Sequence, residues 1–103
     1  MLTVVAEICI KPGCRNSVLE EIHKLIPVVL QEEGCHQYDL LVDHQAQIPW
    51  KHNSPDSVFM LEQWSSLRHL EQHQQMPHME AHRATIKDDV TEVKILVLEP
   101  ARI

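Results

Sequence analysis

The sequence has little glycine, few aromatic residues and no long apolar run. Only two glycines occur among its 103 residues, so neither a glycine-rich phosphate loop nor a G-x-G-x-x-G nucleotide turn is available. No apolar segment approaches the roughly 20 residues that a membrane span requires, and Met1 leads into a strand-like run without a positively charged leader. These absences predict a cytoplasmic protein without a flavin or nicotinamide cofactor.

Positive charge is also scarce. Nine Lys and Arg stand against fifteen Asp and Glu, which gives a formal charge of −6 with neutral histidines, and the cations form no run. This balance argues against nucleic acid or an anionic membrane as a partner. The three cysteines are odd in number and lack a C-x-x-C pair, so we expect free thiols. No cysteine adjoins an evident base and no G-x-S-x-G motif occurs, which leaves nucleophilic catalysis with little support.

Alternation of apolar residues predicts four strands, at residues 2–10, 35–43, 58–64 and 90–99. The polar, proline-containing stretch 44–56 predicts one long loop. With a helical segment after the first strand and another after the third, the order is β-α-β-β-α-β. This order is typical of a ferredoxin-like α+β sandwich, and the length predicts a single domain over residues 1–103.

The first helical segment is amphipathic, with apolar residues at helical spacing from Val18 to Val29. Ser17 and Glu20 have the spacing of a capping box, although the helix could begin a turn earlier. We expect the helix to end at about Glu33, because a glycine follows.

The second helical segment carries four of the eight histidines in two pairs, each with a spacing of four residues: His69 and His73, then His78 and His82. Such spacing places each pair on one helix face. Pro77 cannot continue a helix but fits a first turn, so we predict two short helices that meet near Met76. Neither pair encloses a glutamate as in H-E-x-x-H and no third ligand is evident, so the pattern favours solvated histidines over a metal site.

The predicted strands carry apolar residues on both faces. In the third strand, Val58 and Met60 share one face with Glu62 and Trp64, whereas Phe59 and Leu61 point to the other. Two helical segments can cover only one face of a four-stranded sheet, so the second apolar face needs a partner. A second copy related by a two-fold axis is the simplest partner, and this predicts a homodimer.

The sequence resembles the pattern of the antibiotic biosynthesis monooxygenase superfamily in three features. These are a strand that ends in Trp64, a helix with an internal His73, and the pair Pro77-His78 at the start of the next helix. The similarity runs over essentially the whole chain, and the sequence most resembles the small bacterial quinol monooxygenases within that superfamily. The resemblance implies a dimeric α+β barrel that oxidises quinols with dioxygen, from hydroquinone to a quinone-type product, without an organic cofactor.

The relatives in this superfamily leave other functions open. Haem-degrading members use an asparagine in the first strand, where this chain has Glu7, so haem is disfavoured. Members that isomerise a phosphorylated molecule need cations to bind its phosphate. The candidates here are few, namely Lys51, Arg68 and Arg83. A small-molecule isomerase and a non-enzymatic dimeric binding module are therefore the alternatives.

A hydroquinone can supply the electrons itself, because loss of its proton leaves an anion that reduces dioxygen directly. The protein then needs an apolar slot, a base and a donor for the developing oxyanion. The resemblance implies Trp64 as a catalytic residue, together with His73 or His78 as a hydrogen-bonding partner or proton acceptor. The candidates for the slot are Trp64 together with Tyr38, Met60 and Leu61, and Asn53 is the candidate donor; the last four are chosen by residue type and position. Glu62 and His69 are further substrate-binding candidates.

Overall fold

The computed structural model describes residues 1–102 and has the element order β-α-β-β-α-α-β. The elements are β1 Leu2–Ile10, α1 Arg15–Val29, β2 Cys35–Val42, β3 Ser57–Trp64, α2 Leu67–Gln74, α3 Pro77–Ile86 and β4 Val90–Leu98. The predicted ferredoxin-like α+β arrangement is confirmed, and its second helical segment is divided at Met76 as the proline position indicated. In this part of the chain, no helix is long and apolar enough to cross a membrane.

The four strands form one antiparallel sheet in the order β2-β3-β1-β4. Trp64 at the end of β3 lies opposite Leu2 at the start of β1, and Cys35 at the start of β2 is its neighbour on the other side. The long loop between β2 and β3 therefore lies at the opposite end of the sheet. The sheet thus has a Trp64 end and a loop end.

All three helices lie on one face of this sheet, where alternate strand residues are buried. The core combines strand residues with apolar helix residues: Val4, Ala6, Ile8, Ile10, Tyr38, Val58, Met60 and Trp64 with Val18, Ile22, Leu25, Val29, Leu70, Met79 and Ile86. This burial pattern follows from the period of two along each strand. It agrees with the expectation that the helices cover only one face.

The opposite face and both sides of β4 are much less covered. On the helix-free face, Leu96 and Leu98 are about half exposed, and Leu61 is only partly buried. The residues of β4 that face the helix-covered side are about half exposed as well: Val93, Ile95 and Val97. The reason is that the helices pack against β2 and β3 rather than over this edge strand. The apolar surface of this protein is therefore concentrated on one sheet face and one edge.

The ends of α1 differ from the expectation. The helix begins at Arg15 after Cys14, which makes no side-chain capping bond, so the predicted capping box is wrong. The helix also ends at Val29 rather than near Glu33. The N–H of Glu32 bonds back to the Val29 carbonyl at 2.9 Å, which closes a turn in place of another helical turn. The other predicted elements differ by no more than one residue at an end.

Candidate active site

A cluster of acids, histidines and aromatic rings is buried at the Trp64 end of the sheet, on its helix-covered side. Trp64 and His73 are almost fully buried, at 0% and 1% exposure, and Glu62 and Tyr38 are each 5% exposed. Side chains with this much polar character are rarely buried without partners, because the lost hydration must be compensated. The partners of each group therefore define the site.

Glu32 is the centre of this cluster. Its carboxylate oxygens lie 2.9 and 3.1 Å from Nδ1 of His73, and Oε2 lies 2.7 Å from Nε2 of His78. The Glu32 side chain is only 6% exposed. An ionised carboxylate accepts but cannot donate, so both imidazoles present an N–H to it. One buried acid thus holds a histidine from α2 and another from α3.

The turn after α1 brings Glu32 to this position. Gly34 has a φ of +80°, a conformation that favours glycine, and its carbonyl accepts the Ser65 N–H at 2.8 Å. A Cβ atom built on Gly34 would lie 2.6 Å from Cδ2 of His69, in the first turn of α2. The turn therefore packs directly on the start of α2, and Glu32 faces His73 one helical turn further along.

Two aromatic rings hold the His73 ring from other directions. The Trp64 and His73 ring centroids are 4.6 Å apart with an interplanar angle of 37°, and Tyr38 contacts His73 edge-on at 5.6 Å. The indole N–H of Trp64 donates to Oε1 of Glu62 at 3.0 Å. The imidazole of His73 is consequently fixed by one hydrogen-bonded acid and two rings.

Burial controls the protonation of these groups. Burial raises the pKa of Glu62 to about 7, and the negative charge of Glu32 raises it further. The hydrogen bond from Trp64 has the opposite effect and lowers this pKa. Burial also lowers the pKa of His73, although Glu32 opposes this change. The pKa of Tyr38 is raised by burial, so its hydroxyl stays protonated. Near neutral pH the site therefore contains a neutral His73 and an acid, Glu62, close to its midpoint.

A cleft of about 400 Å³ opens beside Glu32 and is lined by Glu32, Glu33, His69, Gln72, Gln75 and Met76. His69 is held there by Ser66 Oγ at 2.7 Å from Nδ1 and by Glu33 Oε1 at 3.1 Å from Nε2. His78 is 23% exposed and borders a smaller groove of about 210 Å³ between α1 and α3. Glu32 therefore connects an open cleft with a partly exposed imidazole.

The structure brings some of the expected site residues together and separates others. Trp64, Tyr38 and Met60 are close-packed in the core, so the apolar slot expected between them is not open. Leu61 cannot join them, because it lies on the helix-free face of β3. Asn53 lies at the loop end, where its side chain accepts a hydrogen bond from Lys51 at 2.6 Å and borders a separate cavity of about 1060 Å³.

The residues considered for haem and phosphate chemistry also lie apart from the cluster. Glu7 is on the helix-free face and accepts a hydrogen bond from the Ser57 hydroxyl at 2.8 Å. The three cations have different partners, with Lys51 on Asp43, Arg68 near Glu33 and Arg83 on Gln74. Among residues 1–102, no group of three or more His, Cys, Asp and Glu side chains is arranged to hold a metal ion.

Sequence reasoning missed Glu32, the acid that joins the two histidines of the cluster. Glu32 lies in the polar run Gln31 to Glu33, which is typical of a solvated helix end. The only local sign was the nearby Gly34, which indicates a tight turn but not the direction of a side chain. The role of Glu32 depends on α2 and α3, which follow more than thirty residues later in the chain.

The fold and the cluster together define a small ferredoxin-like α+β protein with acid and imidazole groups buried between its sheet and its helices. The model of the family described as antibiotic biosynthesis monooxygenase matches residues 1–85, and the chain belongs to this family. The resemblance seen in the Trp64, His73 and Pro77-His78 pattern is thereby confirmed.

Similar proteins cover nearly the full chain. The protein "Probable quinol monooxygenase YgiN" of Escherichia coli (strain K12) is 48% identical over 102 residues, which is 97% of this chain and 98% of that relative. Among solved structures, PA3566 from Pseudomonas aeruginosa has a TM-score of 0.81 and 31% identity and covers 98% of this chain and 94% of its own. Rv0793 from Mycobacterium tuberculosis has the same TM-score at 23% identity, covers 99% and 96% of the two chains, and supports the fold alone.

Proposed function

We propose that this protein is an oxidoreductase, a cofactor-independent quinol monooxygenase that oxidises a small aromatic quinol with dioxygen. The observation that carries this proposal is the buried Glu32, which binds His73 and His78 at 2.9 and 2.7 Å beside an open cleft. Such a group can take up a phenolic proton. Membership of the monooxygenase family and 48% identity to a protein named as a probable quinol monooxygenase support the same reaction.

A quinol in the cleft would place one hydroxyl against Glu32, the member of the acid–imidazole group that lines it. A carboxylate has about four lone-pair directions, and the two N–H groups of His73 and His78 leave at least one of them without a partner. The remaining direction is available to the substrate hydroxyl. Glu32 is therefore the residue that we assign to direct contact with the reacting oxygen.

The two histidines that contact Glu32 differ in their burial. Burial lowers the pKa of His73 and so disfavours its charged form, which makes this residue the neutral anchor of Glu32. His78 is 23% exposed and holds the same carboxylate at 2.7 Å from the side of α3. Glu32 therefore accepts the proton, and the two imidazoles hold its carboxyl group in place. The resulting quinol anion transfers electrons to dioxygen without an organic cofactor.

The overall reaction balances without another reductant. One quinol gives four electrons to one dioxygen molecule. One oxygen atom enters the ring as a hydroxyl, which yields a hydroxyquinone, and the other atom leaves as water. A simple two-electron oxidation would instead yield the quinone and hydrogen peroxide, so peroxide distinguishes the two reactions.

We also infer that the protein acts as a homodimer that pairs through the helix-free face. Leu61, Leu96 and Leu98 lie on that face, and Leu96 and Leu98 are about half exposed. A stable interface buries on the order of 800 Å² from each partner, and monomers rarely leave a contiguous apolar patch of that size in water. A second copy with the same face supplies a matching surface.

The test is oxygen uptake by the purified protein with several reduced naphthoquinols, in the presence and absence of a metal chelator. We expect uptake well above buffer autoxidation, unchanged by the chelator, with one dioxygen consumed per quinol and little hydrogen peroxide. No uptake above autoxidation with any quinol would refute the proposal. Equimolar peroxide would show a quinol oxidase instead of a monooxygenase.

Site variants locate the reaction. We expect His78→Ala to lower kcat by at least about tenfold, as is usual for loss of an acid–base partner. His82→Ala is the matched control, because His82 lies on the same helix and makes no hydrogen bond to Glu32. Trp64 is fully buried and its alanine variant would leave a cavity, so Trp64→Phe is the better choice and should also reduce kcat. Full activity of both site variants, with intact circular dichroism, would place the site elsewhere.

A further inference from the structure

Glu62 is a buried acid to which the proposed reaction gives no role. Its side chain points to the helix-covered side of β3, with Val4 beside it on β1 and Tyr38 beside it on β2. Within residues 1–102 it takes part in no ion pair, and its hydrogen bond comes from the Trp64 indole N–H at 3.0 Å. A buried carboxyl without a cation is costly, and a glutamine could accept the same hydrogen bond. The acid therefore has a use beyond satisfying the indole.

A continuous series of contacts links Glu62 with the proposed proton-accepting group. Glu62 accepts from Trp64 at 3.0 Å, and the Trp64 ring lies 4.6 Å from the His73 ring. His73 then contacts Glu32 at 2.9 Å. Each contact restricts the next side chain, because the indole can rotate only if its bond to Glu62 is broken. Glu62 is thus placed to influence the orientation of His73 through the indole.

We propose that Glu62 is a positioning residue of this site, which acts through Trp64 to fix His73 against Glu32 and whose protonation, in equilibrium with solvent, sets the strength of its hydrogen bond to the indole. The catalytic part of this inference rests on the proposed function. The positioning part rests on the contacts alone.

Several other titratable groups face Glu62 from the elements around it. These groups are Tyr38 and Cys35 from β2 and Glu32 from the turn after α1, and Glu32 in turn contacts His73 from α2 and His78 from α3. β1 contributes the apolar Val4. Burial is the main cause of the raised Glu62 pKa, which lies at about 7, and the negative charge of Glu32 raises it further by repulsion. When the Glu32 group takes up a phenolic proton, this repulsion falls, which favours the ionised form of Glu62. Once the Glu62 proton has passed to solvent, the carboxylate is a stronger acceptor for the indole N–H.

Tryptophan fluorescence tests this link without any substrate. The chain has only two tryptophans, and Trp50 is 84% exposed in the long loop, so Trp50→Phe leaves Trp64 as the single reporter. In this background we expect the Trp64 emission to change with an apparent midpoint near pH 7, because the group bonded to the indole ionises there. Glu62→Gln should remove the change and preserve the indole bond.

Two further variants identify the source of the signal. Glu7→Gln, a carboxylate on the opposite sheet face, should leave the fluorescence step unchanged. His73→Gln should shift its midpoint but not remove it. The proposal is overturned if the step persists in Glu62→Gln, or if it disappears only in His73→Gln, since protonated His73 would then be the quencher.

Activity measurements on Glu62 variants separate a positioning role from a role in packing alone. Glu62→Leu removes the indole acceptor, and we expect kcat to fall at least tenfold while KM changes less than twofold. Glu62→Gln should recover most of kcat, but the limb of the pH profile near 7 should be lost. Native kcat in Glu62→Leu would refute the catalytic role. If the wild-type protein fails to oxidise quinols, the proposed function fails, and the fluorescence result still decides whether Glu62 ionises against the indole.

Discussion

The cost of ionising Glu62 inside the core should appear directly in the stability of the protein. Glu62 is 5% exposed, and its pKa rises from an ordinary value near 4.5 to about 7. Below pH 4.5 both the folded and unfolded states hold the proton, and there is no penalty. As the pH rises from 4.5 to 7, the unfolded state loses its proton first, so the free energy of unfolding falls. Above pH 7 the penalty is complete and constant.

The size of this effect follows from the difference between the two pKa values. At about 1.4 kcal/mol per pH unit, the interval from 4.5 to about 7 corresponds to roughly 3 kcal/mol, of which about 2 to 3 kcal/mol falls between pH 5 and pH 8. Glu62→Gln lacks this term but keeps an acceptor for the Trp64 N–H. Any cost of burying the new amide is independent of pH. The advantage of the variant over wild type should therefore grow with pH.

Urea denaturation at pH 5 and pH 8 measures this difference at one fixed protein concentration, which is necessary if the protein is a dimer. The depressed pKa of His73 acts in the opposite sense, because stability from the neutral imidazole is lost as the pH falls below about 6.5. That contribution is common to both proteins and cancels in the comparison. An equal stability difference at the two pH values would refute the argument that buried Glu62 titrates near neutrality.

Three further predictions concern the acid–imidazole group, the dimer and the turn. Glu32→Gln should lower kcat at least about tenfold, whereas Glu71→Gln, an exposed acid of α2 outside the cleft lining, should retain most activity in the oxygen assay. Leu61→Asp should convert a dimer into a monomer near 11.9 kDa in sedimentation at low micromolar concentration. Gly34→Ala should lower Tm more than Gly13→Ala, because both have positive φ but only Gly34 lies against α2. Equal losses of activity in the two glutamate variants would contradict the role of Glu32, and equal losses of Tm in the two glycine variants would contradict the role of the turn. An unchanged sedimentation coefficient in Leu61→Asp would contradict the proposed interface.

Local patterns in the sequence determined the elements and the faces of the strands. Alternation placed Glu62 and Trp64 on one side of β3, and the structure has both of them on the helix-covered side. Pro77 predicted the division of the second helical segment, and α3 begins at that residue. These features depend on the period of a strand and on the missing N–H of proline, which act within a few residues. The homodimer remains a prediction from the same strand pattern.

Only the tertiary structure decided which side chains meet. Glu32 reaches His73 and His78 because α1 ends early and its turn packs on α2, and neither event leaves a periodic trace in the sequence. Asn53 was predicted to bind substrate together with the histidines because of its residue type. The antiparallel register places it at the opposite end of the sheet from them. Contacts between distant segments depend on sheet register and helix packing, and these are set by the whole core rather than by neighbouring residues.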